Sequence, residues 1–446
     1  MRRRYSLATI AGLTLAIALG ATLWTPRAAL PQAPDVMLNV IAGGAKKLNI
    51  AIPDFTIVGG TDAQGFSRGL PEVVSRDLTF SDLFSVVSAV PPLPANNPGA
   101  VREAWTNFAA AGAHAGLQGL LTLTGDRAIV EMRLYDLTSP EQRLIATKKF
   151  ELPAAQARRL AHRVSDEVVF QFTGEQGIAD TKIAFAATSS GSKELYMMDY
   201  DGAGLSRVTS NNSINLMPAW SSDTRSIAFT SYAGSGYPYL YRLFPFERRP
   251  MQLLAGYPGI NTSPAWSPDG RFLALTLSKD GSPKIYLLTL ATGALRRLTT
   301  WSGIDTEPTW SPTGREIAFV SDRSGSAQVY VMDVDGTNVR RLTQSGFNTQ
   351  PRWSPKGDVI AFTSRQGTHD IWAVTADGSG MLRRLTDGPG SNEGASWAPN
   401  GRHLVFQSNR TGRYQLYTMS ADGSEQALLS KGPGEATSAS WSPRLP

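Results

Sequence analysis

The sequence predicts a small α/β domain followed by an all-β, six-bladed β-propeller. A motif centred on tryptophan, written Pro-Ala-Trp-Ser-Pro-Asp-Gly at residues 264–270, returns along the C-terminal part of the chain. A period of roughly 40 to 50 residues with several short strands per period is typical of propeller blades. The tryptophans that mark the motif lie 43 to 46 residues apart, at Trp220, Trp266, Trp310, Trp353, Trp397 and Trp441.

The ends of the repeat array predict how the propeller closes. Each period carries three further short strands, so the tryptophan strand makes four strands per blade, as in WD40-like repeats. The first period has the strand Ile183-Ala-Phe185 but no tryptophan strand, and the last tryptophan, Trp441, has no strand after it. Pairing of these two strands would complete one blade and leave no unpaired edge. We therefore expect six blades, closed by pairing of the C-terminal strand with the first blade.

Residues 48–174 are predicted to form the N-terminal α/β domain, and residues 175–446 the propeller. Periodicity and turn residues predict the elements of the first domain. They are a strand at 48–52, a helical pattern over about 70–87 interrupted at Ser81-Asp82, a helix over 101–115, strands over 119–124, 128–135 and 142–150, and a helix over 153–172 that ends at Gly174.

Residues 1–33 have the pattern of an export signal peptide. Three arginines, Arg2 to Arg4, precede an uncharged run rich in Leu, Ile and Ala, and small residues near Gly20 or Ala28 offer cleavage sites. The alternative is an uncleaved membrane anchor, because the run approaches the ~20 apolar residues that span a bilayer. Two glycines in the run favour the signal peptide, and the processed chain would then carry no membrane span.

Residues 34–47 are predicted to form a flexible N-terminal segment that binds a partner. From Asp35 to Gly44 apolar residues tend to alternate before a Gly-Gly pair. This pattern suits a strand that pairs with a sheet edge, and it suits a flexible tail equally well.

Composition excludes several classes of function. The formal charge is +6, but four of the 43 basic residues precede the first acidic one, Asp35, so the rest of the chain carries 39 basic and 37 acidic side chains. The net positive charge therefore comes mainly from the leader, and it gives little support to a nucleic-acid-binding surface. Cysteine is absent, which excludes disulfides, thiolate metal sites and cysteine nucleophiles.

Local motifs do not support catalysis. Gly65-Phe-Ser67-Arg-Gly69 matches a hydrolase elbow, but no strand precedes it, so Ser67 is expected in a loop or at a helix start. The Asp-Gly pairs of the repeats fit hairpin turns better than calcium loops. Four scattered histidines make no metal cluster, and His162 is expected to be packed or hydrogen-bonded within a helix. We expect no enzyme activity, no cofactor and a monomeric protein.

The tryptophans are expected to fill the space between blades and therefore to be structural. The candidate binding residues then lie in the loops that precede them. These loops, which we call the mouth loops, lead into the inner strand of each blade and converge on one end of the central channel. They are short and mostly polar, as a ring of hydrogen-bonding groups would be; exposure alone would also make them polar. They are 215–217, 261–263, 305–307, 348–350, 392–394 and 435–437, and the candidate binding residues among them are Asn261, Ser263, Asp305, Thr306, Glu307, Asn348 and Gln350, with Ile260 beside them.

The junction between the two predicted domains resembles that of one family. Residues Arg158 to Val169, Thr173 to Gly177 and Thr181 to Phe185, together with the closing Trp441-Ser-Pro443, resemble the linker helix, linker and final strand of the TolB family. The resemblance covers nearly all of the chain after the leader. It implies a periplasmic protein of the Tol-Pal system of Gram-negative bacteria, without enzyme activity.

The resemblance also implies two partners. In the TolB family the propeller mouth takes the peptidoglycan-associated lipoprotein Pal, and the N-terminal segment engages the inner-membrane protein TolA. The Pal contacts fall on Ile260, Ser263, Thr306 and Glu307, and Ile260 stands where well-known members have a histidine. The TolA segment falls on residues 35–44, with Asp35, Val36, Leu38, Val40 and Ile41 as candidates.

Two other classes of function remain as alternatives. One is a propeller binding module of another envelope system. The other is an enzyme, either a propeller peptidase, which would need a separate hydrolase domain, or a propeller lyase, which would show clustered histidine or carboxylate ligands.

Overall fold

The computed structural model describes residues 47–87, 93–94, 97–189, 191–430 and 432–446. Its N-terminal part forms a six-stranded sheet with three helices packed on it. In chain order the elements are β1 (Leu48–Ala51), β2 (Thr56–Gly59), α1 (Phe66–Phe80), β3 (Phe84–Val86), α2 (Pro98–Ala110), β4 (Ala115–Thr124), β5 (Arg127–Asp136), β6 (Leu144–Pro153) and α3 (Ala157–Thr173).

The sheet has the order β3-β1-β4-β5-β6, and β2 pairs with the second half of β4. The apolar faces of α1 and α3 pack together on one face of the sheet, where Val74 and Leu160 are fully buried. Trp105 of α2 covers the opposite face. Gly116 of β4 permits this contact, because a Cβ there would lie 2.5 Å from the Trp105 ring.

The helical pattern predicted over 70–87 is wrong at both ends. Helix α1 begins at Phe66, because the Asp62 carboxylate accepts hydrogen bonds from the N–H groups of Phe66 and Ser67, both at 2.8 Å. The helix stops at Phe80, and Asp82, with a φ of 60°, turns the chain. Residues Phe84–Val86 then form β3, which runs parallel to β1. The placement of Ser67 at a helix start is confirmed.

The propeller consists of six four-stranded sheets, blades I to VI. Blade I contains β7 (Lys182–Ser189), β8 (Ser192–Asp199) and β9 (Ser206–Arg207). The others are β10 (Asn215–Trp220), β11 (Ile227–Ser231), β12 (Tyr239–Leu243) and β13 (Gln252–Ala255) in blade II; β14 (Asn261–Trp266), β15 (Phe272–Leu277), β16 (Lys284–Thr289) and β17 (Leu295–Arg297) in blade III; β18 (Asp305–Trp310), β19 (Glu316–Ser321), β20 (Gln328–Asp333) and β21 (Arg340–Arg341) in blade IV; β22 (Phe347–Trp353), β23 (Val359–Gln366), β24 (Thr368–Thr375) and β25 (Leu382–Arg384) in blade V; and β26 (Asn392–Trp397), β27 (His403–Ser408), β28 (Gln415–Ser420) and β29 (Ala427–Ser430) in blade VI.

The predicted closure is confirmed. The last strand, β30 (Ala436–Trp441), is the inner strand of blade I and pairs antiparallel with β7, with Trp441 opposite Ile183. Both ends of the repeat array thus contribute to one sheet. The six-bladed propeller has no open edge at the point of closure.

The repeat tryptophans form the scaffold, as predicted. Five of the six are buried and the sixth, Trp266, is half-buried. At three junctions the indole N–H donates to a backbone carbonyl of the preceding blade at 3.0 Å, from Trp266 to Ala219, from Trp310 to Ala265 and from Trp397 to Arg352. Each of these rings therefore joins two neighbouring inner strands.

A buried polar cluster joins the α/β domain to blade I. The carboxylate of Asp77, in α1, contacts His162 Nδ1 at 2.8 Å and accepts hydrogen bonds from Ser165 and from the Tyr200 hydroxyl, both at 2.7 Å. The other ring nitrogen of His162 lies 3.9 Å from Asp199 of blade I. Both side chains of the Asp77–His162 pair are nearly inaccessible to solvent. The prediction of a hydrogen-bonded His162 is confirmed.

The charge of His162 should make the stability of the wild-type protein pH-dependent. Burial lowers the pKa of His162, but the carboxylates of Asp199 and Asp77 outweigh it and raise that pKa to about 9. The stabilisation is then fully present below pH 6.5, the ordinary value, and is lost as the pH rises through 9. The free energy of unfolding from urea denaturation should be on the order of 3 kcal/mol higher for the wild type than for His162→Gln at pH 6, and this difference should largely disappear at pH 10. His369→Gln, a change at a partly exposed histidine, serves as the control, and a gap that does not change with pH contradicts the assignment.

Some predictions concern residues outside this described part. The leader over 1–33 and nearly all of the segment over 34–47 precede the first described residue, Lys47. Among the described residues, no helix is both long and apolar enough to cross a bilayer.

Candidate functional site

A buried polar residue stands at or next to the start of each inner strand from blade II to blade VI. Asn215, Asn261, Asp305, Asn348 and Asn392 are at most 1% exposed. The amide groups of the four asparagines tie the mouth loop to the preceding blade or to the loop itself, as between Asn348 and Gln328 at 2.8 Å and between Asn392 and Asp370 at 3.0 Å. The Asp305 carboxylate accepts a hydrogen bond from Arg323 of its own blade at 3.0 Å. The structure therefore places the predicted residues Asn261, Asp305 and Asn348 beneath the mouth surface, where they hold the loops in place.

The residue immediately before each of these positions lies on the surface of the mouth. On four consecutive blades it is apolar and 42–46% exposed, and we call this set the apolar rim: Ile214, Ile260, Ile304 and Phe347. The corresponding residues on blades VI and I are polar, Ser391 and Glu435. The mouth is therefore apolar on one side only, and exposed apolar patches rimmed by polar residues are typical of interaction surfaces.

Two of the four rim residues, Ile304 and Ile260, are held in place through their backbone N–H groups. The N–H of Ile304 donates to Asp322 at 2.8 Å, and the same carboxylate oxygen accepts the indole N–H of Trp301 at 3.2 Å. Trp301 is itself 42% exposed. Ile260 is fixed by a hydrogen bond from its N–H to Ser278 at 2.8 Å. An apolar surface that is already ordered loses little conformational entropy on binding.

A second ring of residues lies two positions after the buried ones. All six residues have positive φ, between 51° and 62°, and five of them are not glycine: Met217, Ser263, Glu307, Gln350, Gly394 and Ser438. This conformation costs a non-glycine residue roughly 1–2 kcal/mol. Bonds from the neighbouring blade compensate in part, as where the Glu307 N–H donates to Thr276 at 3.1 Å. Strained residues of this kind are concentrated at functional sites.

These side chains line the top of the central channel, a cavity of about 400 Å³. The channel holds two charged groups, the Glu307 carboxylate and the Arg352 guanidinium. Burial raises the pKa of Glu307 against the opposing effects of the Gln350 N–H and Arg352, and burial lowers the pKa of Arg352. The Glu307 carboxylate also accepts the N–H of Gln350 at 2.6 Å. The mouth thus combines an apolar rim with a polar, charged throat.

The structure brings Ile260, Ser263, Thr306, Glu307 and Gln350 together around this mouth. Ile260 is exposed, and the other four are half-buried along the first turn into the channel. The other three rim residues, Ile214, Ile304 and Phe347, were not predicted, although each stands one residue before a mouth loop. The predicted residues Asp35, Val36, Leu38, Val40 and Ile41 precede the described part of the chain.

Nothing in the described ranges suggests a metal centre. No group of three or more histidine and carboxylate side chains within them is arranged to hold an ion.

Comparison with known proteins identifies the family. The family model of the TolB beta propeller domain matches residues 169–445, and that of the TolB amino-terminal domain matches residues 36–143. The chain belongs to the TolB family. TolB proteins are non-enzymatic, periplasmic envelope proteins, which agrees with the prediction that the chain is not an enzyme.

Individual TolB proteins are similar over part or most of the chain. The Tol-Pal system protein TolB of Geobacter sulfurreducens is 40% identical over 205 residues, 45% of this chain and 46% of that protein. That of Desulfosudis oleivorans is 37% identical over 257 residues, 57% and 58% of the two chains. The chain thus spans about half the length of these curated relatives. The crystal structure of TolB from Acinetobacter baumannii superposes with a TM-score of 0.76 at 29% identity, over 89% of this chain and 96% of that one.

Proposed function

We propose that this protein is the periplasmic protein-binding component of a Tol-Pal system, linking the peptidoglycan-associated lipoprotein Pal to TolA. In this role it supports the integrity of the outer membrane and its constriction during cell division. The observation that carries the proposal is the mouth, where an apolar rim on one side of the opening adjoins a polar throat in a chain of the TolB family.

Pal would bind across the mouth. Ile260 and Ile304 of the rim supply exposed apolar area, and burial of such side chains stabilises a complex by up to ~2 kcal/mol each at a well-packed centre. Thr306 and Glu307 lie just inside and offer a hydroxyl and a carboxylate. Asn261, Asp305 and Asn348 take a positioning role, because they are buried beneath the rim.

Substitutions in the rim should weaken the complex selectively. Ile304→Glu and Thr306→Ile should each lower the affinity for purified Pal at least tenfold in calorimetry, since the first places a charge against an apolar contact and the second replaces a hydroxyl at the mouth by a bulkier apolar group. Leu382→Glu is the matched control, because Leu382 is also 42% exposed but lies on the outer strand of blade V. Equal affinity for all four proteins contradicts the placement of Pal at the mouth.

The N-terminal segment would engage TolA by strand addition. Its alternating apolar residues, among them Val36, Leu38 and Val40, are suited to extending a sheet of the partner. Docking of the segment on its own protein and release to TolA would be two alternative states, so that occupancy of the mouth could shift the balance between them.

Deletion of residues 35–44 from the processed protein should abolish binding of TolA in calorimetry, because the strand that adds to the partner is gone. Binding of Pal should persist, since the mouth loops are untouched. Unchanged affinity for TolA rejects this part of the proposal.

A further inference from the structure

One loop of blade II departs from the pattern of the other blades. In the other five blades the connection between the third and fourth strands contains a glycine with a φ between 71° and 95°, as at Gly336 and Gly423. In blade II it is the glycine-free stretch Phe-Pro-Phe-Glu-Arg-Arg-Pro-Met, residues 244–251, which we call the blade II loop. It lies opposite the mouth, at the end of the propeller where the α/β domain makes its contacts, as through Asp201.

The blade II loop and the strand after it expose large apolar side chains to solvent. Phe246 is 53% exposed and Met251 is 38% exposed, and Leu253, just beyond the loop in β13, is 56% exposed. Phe246 rests on the buried ring of Trp220, with the centroids 6.1 Å apart, which holds it outward. Prolines at 245 and 250 restrict the backbone on both sides. The loop is therefore a rigid apolar projection.

The same loop carries cationic groups. The guanidinium groups of Arg242 and Arg249 both lie over the ring of Phe244, at 5.0 and 4.0 Å from its centroid. Glu247 pairs with Arg249 at 3.2 Å. Within the part of the chain that the structure describes, Arg242 and Arg248 have no acidic partner. Two positive charges thus remain uncompensated beside the exposed Phe246.

A groove of about 470 Å³ adjoins the loop. It lies between the loop and the short outer strand of blade I, and its lining includes Arg207, Arg249, Glu247 and Met251. The strand β9 is only two residues long, which leaves this side of blade I open. Arg207 reaches the groove from a buried pair with Glu194 at 2.7 Å. Because Arg207 and Arg249 each pair with a carboxylate, the groove carries little net charge, and Met251 makes part of its lining apolar.

We propose that the blade II loop, beside this groove, binds the surface of a membrane that contains anionic phospholipid. Arg242 and Arg248, which have no acidic partner in the described part of the chain, would contact the phosphate headgroups, and Phe246 and Met251 would enter the boundary between headgroups and acyl chains. Aromatic side chains flanked by arginines are favourable at this boundary, because the ring lies in the apolar layer while the cations stay at the phosphates. An acidic protein surface would pair with the arginines but would leave the projecting Phe246 without an apolar environment.

The proposal does not depend on the assignment of Pal to the mouth, since the two surfaces lie at opposite ends of the propeller. Contact with lipid would orient the protein with its mouth directed away from the bilayer. The mouth would then remain accessible to a partner.

Cosedimentation of the processed protein with vesicles tests the proposal. Binding is expected to vesicles of phosphatidylcholine with 30% phosphatidylglycerol and not to phosphatidylcholine alone. Phe246→Ser should reduce the bound fraction about tenfold and Arg248→Ser about fivefold, with the arginine effect diminished at high salt. Met381→Ser is the control, because Met381 is 72% exposed in the corresponding loop of blade V.

Failure of the wild-type protein to bind the anionic vesicles overturns the proposal, as does an equal loss from Met381→Ser. If the wild-type protein binds no vesicles and Phe246→Ser instead abolishes binding of an acidic protein, the loop is assigned to that protein and the lipid site is rejected. All three variants should keep full affinity for Pal, so a failure here is distinguishable from a failure of the mouth assignment.

Discussion

Replacing Asp77 by alanine should lower the free energy of unfolding by about 3–5 kcal/mol, the cost of breaking a buried ion pair by removing one partner. The substitution leaves the charged His162 without its 2.8 Å contact, and it removes the acceptor of both Ser165 and Tyr200. None of these groups can turn to water, since all are buried.

Urea unfolding followed by intrinsic fluorescence measures this effect. Asp54→Ala is the control, because Asp54 pairs with the exposed Arg68 at 3.4 Å and should contribute less than about 1 kcal/mol. Tyr200→Phe should fall between the two, at about 1–2 kcal/mol for one buried hydrogen bond. A loss below about 1 kcal/mol for Asp77→Ala would show that the cluster does not hold the α/β domain to blade I.

Replacing Trp441 by alanine should destabilise the propeller by about 3–5 kcal/mol, as expected for removing a buried tryptophan. Trp441 is 5% exposed, its indole N–H donates to Thr181 at 2.8 Å, and its backbone N–H donates to the Ser396 hydroxyl at 3.0 Å. The cavity would form at the closure of the ring, where β30 meets β7. Opening of that closure would expose two strand edges at once.

Thermal unfolding of Trp441→Ala and Trp301→Ala compares a buried tryptophan with an exposed one in the same propeller. The midpoint for Trp301→Ala should remain within a few degrees of wild type, and that for Trp441→Ala should fall well below it. Similar midpoints for the two variants contradict the view that the C-terminal strand completes blade I.

The architecture was predictable because large side chains and chain periodicity determine it. Tryptophans at a constant spacing can only pack between blades, and a missing inner strand at one end with a surplus strand at the other predicts the closure of Trp441 on Ile183. The strand at Phe84 was missed because Leu83 and Phe84 continue the apolar spacing of α1. Only the turn at Asp82, which depends on tertiary contacts, separates them.

Polarity alone did not predict which residues of the mouth loops are buried. Asn348 is polar like an exposed loop residue, yet its partner, Gln328, lies 20 residues earlier, and Asp370 stands 22 residues before Asn392 in the same way. A single sequence does not indicate which of two polar residues faces inward. The available signal was a charged or amide residue two positions before the Tyr or Trp of the third strand in five of the six blades, such as Gln328 before Val329-Tyr330.

The central claim is that the apolar rim receives Pal, and site-specific photo-crosslinking in living cells tests it most directly. A photoreactive amino acid at position 304 should crosslink to the peptidoglycan-associated lipoprotein, and the same amino acid at position 382, equally exposed on the outer strand of blade V, should not. A crosslink to that lipoprotein from position 382 and none from position 304 would contradict the account.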